Sequence, residues 1–170
     1  IDLPYVWQSP IGINSSLEIQ RRDSTYQRTS LKAGIFYKPN WHSNIGISYT
    51  STSSTATEGI LDLENFTKNG LELQAGLRKQ TTDRLMPENL LIIASLGFNN
   101  RELNNNFEKQ LNFHATFLKL WHLYKRSTFL SELTSYYLQS NDIQFNELYQ
   151  FGGLGSIRGF NQNSIDSSFY

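Results

Sequence analysis

Residues 71–78 read Leu71-Glu72-Leu73-Gln74-Ala75-Gly76-Leu77-Arg78, apolar and polar in strict turn. Successive side chains of a strand point to opposite faces. This order therefore puts Leu71, Leu73, Ala75 and Leu77 on one face and Glu72, Gln74, Gly76 and Arg78 on the other. The same period of two recurs on both sides of the segment.

Upstream, a segment near 11–21 sets Ile11, Ile13, Leu17 and Ile19 against Asn14, Ser16, Glu18 and Gln20. Near 26–37, Leu31, Ala33, Ile35 and Tyr37 oppose Arg28, Ser30, Lys32 and Gly34. Near 41–51, Ile45, Ile47 and Tyr49 oppose His42, Asn44, Gly46 and Ser48. Downstream, near 88–99, Leu90, Ile92, Ala94, Leu96 and Phe98 share a face, and the other begins apolar at Leu91 and Ile93. Near 109–124, Leu111, Phe113, Ala115 and Phe117 face away from Asn112, His114 and Thr116. Near 127–139, Phe129, Leu133 and Tyr137 oppose Glu132, Thr134 and Tyr136 in the weakest of the patterns. Helical registers give mixed faces throughout, so the sequence predicts an all-β chain.

A sandwich core or a lipid-facing wall would both alternate. The segments run about 10–14 residues, whereas globular strands average about 5–6. The polar faces carry long or charged groups (Glu18, Lys32, Glu72, Arg78, Glu132), as a watery interior would. Aromatic residues gather near segment ends, at Tyr37, Trp41, Tyr49, Phe98, Trp121 and Tyr124, where an interfacial girdle belongs. These features favour an antiparallel transmembrane β-barrel over a soluble β-sandwich.

Composition removes other classes. Lysine plus arginine equals aspartate plus glutamate, 15 against 15, so no basic excess points to nucleic acid. There is no cysteine, hence no disulfide framework and no thiolate metal site. No run approaches the ~20 apolar residues of a spanning helix, the longest being Leu90–Ala94. Residues 1–4 lack a basic start and an apolar core, so no secretion signal is read there.

Connection lengths are expected to alternate, since barrels have short periplasmic turns and longer external loops. Lys38-Pro39-Asn40 and Lys125-Arg126 read as tight, and 52–68 and 100–108 as long and polar. Ser51–Thr57 is expected to be a mobile polar loop, the Asn99-Asn100 and Asn104-Asn105-Asn106 stretch an exposed turn-rich one, and Asp23-Ser24-Thr25 a hairpin tip. Four of the six connections fit the alternation, with 22–25 too short and 80–88 too long.

After the seventh segment comes Phe151-Gly152-Gly153-Leu154-Gly155-Ser156-Ile157-Arg158-Gly159-Phe160. This resembles the (V/I)RG(F/Y) signature, with its upstream glycine pair, of the BamA, TamA and two-partner-secretion-transporter superfamily. The match lies at Gly152, Gly153, Ser156, Ile157, Arg158, Gly159 and Phe160. The resemblance implies that this motif sits on the sixth external loop and folds back into the barrel lumen. It also implies that the seven segments are strands five to eleven of sixteen, with Ser167–Tyr170 beginning strand twelve. Residues 1–170 would then be part of a bacterial outer-membrane barrel, with POTRA domains and the remaining strands outside them.

The motif's residues suit such a place. Glycines allow positive φ and close packing against a wall. Arg158 offers five fixed donors and, inside a lumen, needs a carboxylate or several acceptors. Phe160 is expected to wedge between lumen side chains. By resemblance the function is to insert outer-membrane proteins or translocate polypeptides, with client polypeptides, membrane lipids and accessory lipoproteins as partners. A passive porin-like channel and a soluble β-sandwich binding module are the alternatives from other classes. The histidines His42, His114 and His122 lack metal spacing, and no nucleophile or phosphate-loop arrangement accompanies the glycines. Neither an enzyme, a metal nor a cofactor is expected.

Overall fold

The computed structural model describes residues 1–22, 25–56, 64–80, 88–124 and 127–170. Eight antiparallel strands form one sheet in sequence order. They are β1 (Asp2–Leu3), β2 (Ile11–Arg22), β3 (Tyr26–Asn40), β4 (Ser43–Ala56), β5 (Phe66–Gln80), β6 (Glu88–Leu103), β7 (Asn106–Tyr124) and β8 (Ser127–Gln139). All seven alternating segments are strands of this sheet, and β1 adds two residues at its edge. The sheet is open: among the described residues β1 and β8 do not pair with each other. A smaller ladder joins β9 (Tyr149–Phe151) to β10 (Ile165–Ser167). No α-helix occurs among the described residues.

The alternation settles which side chains share a face. Cross-strand register aligns Ile35, Ile47, Leu73, Leu96, Phe113 and Tyr137 in one row across β3–β8. That row is open to the surroundings: Ile35 is 56% exposed, Ile47 46% and Leu73 49%. The opposite face is the protected one. Ser48, Ser54, Ser95, Asn99, Arg101 and Gln110 are all buried on it. Most aliphatic residues therefore face out and most hydroxyls, amides and charges face in, with Tyr26, Phe36, Phe66, Leu120 and Leu138 as buried apolar exceptions on the inward face, an arrangement unlike a water-soluble core. No second sheet covers the apolar face among the described residues, so the sandwich alternative does not describe this fold.

The polar face is concave. A single cavity of about 190 Å³ is lined by residues drawn from β3 to β8, including Arg28, Thr50, Lys68, Asn99, Asn112 and Leu138. Small residues let the strands curl. Gly34, Gly46, Gly70, Gly76 and Gly97 all point inward, and a Cβ at Gly70 would lie under 3 Å from the backbone of Phe98 and Asn99.

Several expected loops are strand. Ser51–Ala56 is not a mobile loop but the upper end of β4, paired to β3 through Tyr26. The long connection 52–68 shrinks accordingly, because β5 already begins at Phe66. The 100–108 loop is a two-residue hairpin: Leu103 faces Asn106, and Asn104 (φ 48) and Asn105 (φ 64) form the tip. Two left-handed residues match the twist of the flanking strands, and asparagine tolerates them. Asn99 and Asn100 belong to β6. The fifth connection is thus tight, which contradicts the alternation of lengths. Trp41 and His42 sit in the β3–β4 turn rather than on a strand, with Asn40 Oδ1 accepting from the His42 and Ser43 amides at 3.0 and 2.9 Å. The hairpin tip at Asp23-Ser24, the 81–87 connection and the Lys125-Arg126 turn lie outside the described residues.

Candidate functional site: a strap and motif loop over the polar face

Residues 140–167 leave the end of β8, cross the concave face and come back to it. On return, Ser168–Tyr170 pairs antiparallel with the free edge of β8: Leu138 N donates to Ser168 O at 2.8 Å and Tyr136 N to Tyr170 O at 2.7 Å. The chain end expected to begin a further strand makes one isolated bridge here, Tyr137 to Phe169.

The first part, residues 140–151, is a strap held by side chains. Gln110 Nε2 on β7 donates to Ser140 Oγ at 3.0 Å and to Glu147 Oε1 at 2.9 Å. The Arg101 guanidinium on β6 pairs with Glu147 through one nitrogen and with Glu108 through another. Farther across, Asn146 Nδ2 donates to Ser54 Oγ on β4 at 2.9 Å. Gln150 then reaches Tyr26 on β3 (2.9 Å) and Gln20 on β2 (3.0 Å). The strap so touches both ends of the sheet within eleven residues. Burial pushes the Tyr149 phenol up to about 12, with Tyr136 beside it adding to the effect.

The motif hangs from β9 and β10. Gly152 (φ +118) and Gly153 (φ +92) are buried in conformations that L side chains avoid, and a Cβ on Gly152 would lie 2.7 Å from Asn161 O. Gly159 also has positive φ, at +94, and Gly155 does not. A compact turn follows the glycine pair: Gly152 N donates to Ser156 Oγ at 2.7 Å and Gly153 N to Ile157 O at 3.1 Å. An open cleft of about 630 Å³ separates Gly155, Ser156 and Ile157 from His114, Thr116, Glu132 and Thr134. Beside it His114, Tyr136, Tyr170 and Phe151 stack in sequence, with ring centroids 4.3, 4.8 and 4.3 Å apart.

Arg158 is exposed and has no ion-pair partner among the described residues. Phe160 is 54% exposed, so it does not wedge between lumen side chains. Of the charged residues expected on the polar face, Lys32 and Glu72 form a pair at 2.9 Å. Glu18 is exposed, Glu132 lines the motif cleft, and Arg78 lies at the opposite rim beside His42. Sequence reasoning missed Arg101, Glu108 and Glu147, the charges that hold the strap. The signal was present: an Asn-Asn tip at 104–105 places Arg101 directly opposite Glu108. No group of three or more His, Asp or Glu among the described residues is arranged to hold a metal.

No protein-family model, curated protein or solved structure matches the chain.

Proposed function

We propose that residues 1–170 form the middle of an outer-membrane β-barrel that assembles outer-membrane proteins or passes polypeptides across the membrane, resembling the BamA, TamA and two-partner-secretion superfamily. One observation carries the reading: the sheet is inside-out, and a long loop bearing Ile157-Arg158-Gly159-Phe160 lies over its polar side. Each large apolar side chain of the outward rows would gain about 1.5–3 kcal/mol on leaving water, and lipid supplies that burial. The apolar belt has a fitting height. On β6 it runs from Leu90 to Phe98, nine positions at about 3.3 Å each. Tilted by about 40–45°, they rise about 21 Å, near the ~25 Å band of such barrels. Polar residues follow above it (Asn69, Thr67, Asn100, Glu102), and Lys79 and Lys119 mark its lower edge.

In this reading the partners are outer-membrane lipids, client polypeptides and accessory lipoproteins. Strands beyond β2 and β8 complete the wall, and Arg158 finds its carboxylate among them. A porin-like lumen would present unneutralised charge at a constriction. Here the principal buried arginine is matched by Glu108 and Glu147 and covered by the strap.

The cysteine-free sequence makes the test clean. Single cysteines carrying spin labels at positions 47, 73, 96 and 113 should be reached by oxygen from the bilayer, and those at the exposed inward-facing positions 18 and 132 by a water-soluble relaxer. A chain that stays monomeric without detergent, with all sites equally wet, sinks the membrane reading. For the activity, vesicles containing the full-length protein should insert an unfolded barrel client faster than empty vesicles. Solute flux with no gain in insertion would support the passive channel instead.

A further inference from the structure

The strap meets the sheet in an unusual way. Its polar ties to β2–β7 all end on side chains of those strands: the Asn141 and Asp142 amides on Glu108, Glu147 on Arg101 and Gln110, Asn146 on Ser54, Gln150 on Tyr26 and Gln20. The backbone groups of those strands are already engaged in their own ladder. The strap can therefore leave without breaking a single sheet hydrogen bond.

The charges are arranged for the same event. Arg101 is 2% exposed and would be costly to strand alone. Yet it has two close carboxylates, with Asp142 farther off at 3.9 Å, and the close pair differ in kind. Glu108 faces it directly across the β6–β7 register and stays with the sheet, whereas Glu147 belongs to the strap. When the strap lifts, Arg101 keeps Glu108, and Glu147 passes into water. Arg101 is thus not left alone, although Lys68 in the cavity beneath gives up the nearby charge of Glu147. The closed state is meanwhile incompletely satisfied. Arg101 Nε, Gln110 Oε1 and Asn146 Oδ1 are buried without hydrogen-bond partners, a standing penalty that opening relieves.

We propose that Arg101 and Glu147 form a releasable latch, with Glu108 as the holding partner, and that the strap is a plug whose opening moves the motif loop off the polar face. The link runs through the chain: Glu147 lies five residues before Gly152, and β9 joins the latch to the motif. As regulation of the proposed assembly or transport site, the latch rests on that reading. Its structural test does not.

Spin labels at Leu154→Cys, on the exposed motif tip, and Asn69→Cys, on the outward face of β5, report the strap's position in the full-length protein in nanodiscs. The starting protein should give one narrow distance, and Glu147→Gln should add a second population of different distance. Asp142→Asn, which removes a carboxylate 3.9 Å from Arg101 at the exposed edge, should leave the narrow distance unchanged. Should Glu147→Gln fail to fold, Asn146→Ala removes the next tie and should produce the same second population. An unchanged distance in a folded Glu147→Gln or Asn146→Ala protein overturns the latch. Opening without any change in client insertion supports the latch and counts against the assembly reading.

Discussion

Lys32 Nζ lies 2.9 Å from Glu72 Oε1, although β4 runs between the strands that carry them. Neighbouring strands are about 4.8 Å apart, so partners two strands away meet only where long side chains lean over small ones on a curled surface. Ser48 and Thr50 on β4 are those small residues, opposite Glu72 and Lys32 respectively. Both charges are partly exposed, at 28% and 16%, which keeps the pair modest. Glu72→Ala should cost about 1 kcal/mol or less. Urea unfolding in lipid vesicles measures it, and a loss several times larger would mean that the pair is sealed from water.

Leu73 sits at mid-height in the outward row, between Ile47 and Leu96. If lipid covers that row, Leu73→Arg should destabilise the barrel by about 2–4 kcal/mol, read from the shift in folding midpoint in vesicles. Unchanged or improved stability would mean that water, not hydrocarbon, meets this face.

Gly70 has no room for a methyl group, since the nearest atoms belong to the backbone and side chain of its β6 neighbours Phe98 and Asn99. Gly70→Ala should lower stability by about 1–3 kcal/mol through overpacking. Gly155, where nothing lies within 4 Å of the added atom, is the matched control and should tolerate alanine.

The Asn104-Asn105 tip uses two positive φ values, 48° and 64°. Asn105→Gly should preserve the hairpin or stabilise it slightly, and Asn105→Val should cost about 1 kcal/mol or more, because a β-branched residue resists this conformation. Thermal denaturation of the two variants side by side decides it.

Tyr149 belongs to the strap, outside the strands of the main sheet, and its phenol is raised to about 12 by burial. A raised folded value means that this residue's protonation favours the folded state up to the unfolded value near 10, and that the contribution is lost as pH climbs through 12. Absorbance at 295 nm should show one tyrosine titrating last, and Tyr149→Phe should remove that final step.

The chain announced its strands wherever one face had to be apolar. Seven segments were legible because Leu, Ile and aromatics alternate with polar residues across the belt. Their upper ends were not, because above the belt both faces are polar and period two disappears. Thr50–Thr55 on β4 is hydroxyl on both sides, so propensity alone suggested a loop. Losing the upper strands hid the site as well: Arg101 and Glu108 fell inside an imagined nine-residue loop, and their cross-strand meeting depends on the true two-residue turn. The motif glycines were legible for a different reason. Gly152, Gly153 and Gly159 take backbone conformations that few other residues adopt, a demand written in residue identity rather than in pattern.

The orientation of the apolar rows bears on how such a chain can diverge. In a soluble protein the apolar side is a three-dimensional puzzle, and each residue's volume is fixed by its neighbours. If lipid covers that side here, as proposed, it meets a fluid, which reshapes itself around whatever it touches. Ile35, Ile47 and Leu73 should thus be interchangeable among aliphatic and aromatic residues at little cost. Exact fit is demanded on the other side, where Gly34, Ser48, Gly70 and Asn99 must interlock. A screen of random hydrophobic replacements should find the outward rows permissive and the inward small residues intolerant. The information that defines this fold is carried by its polar half.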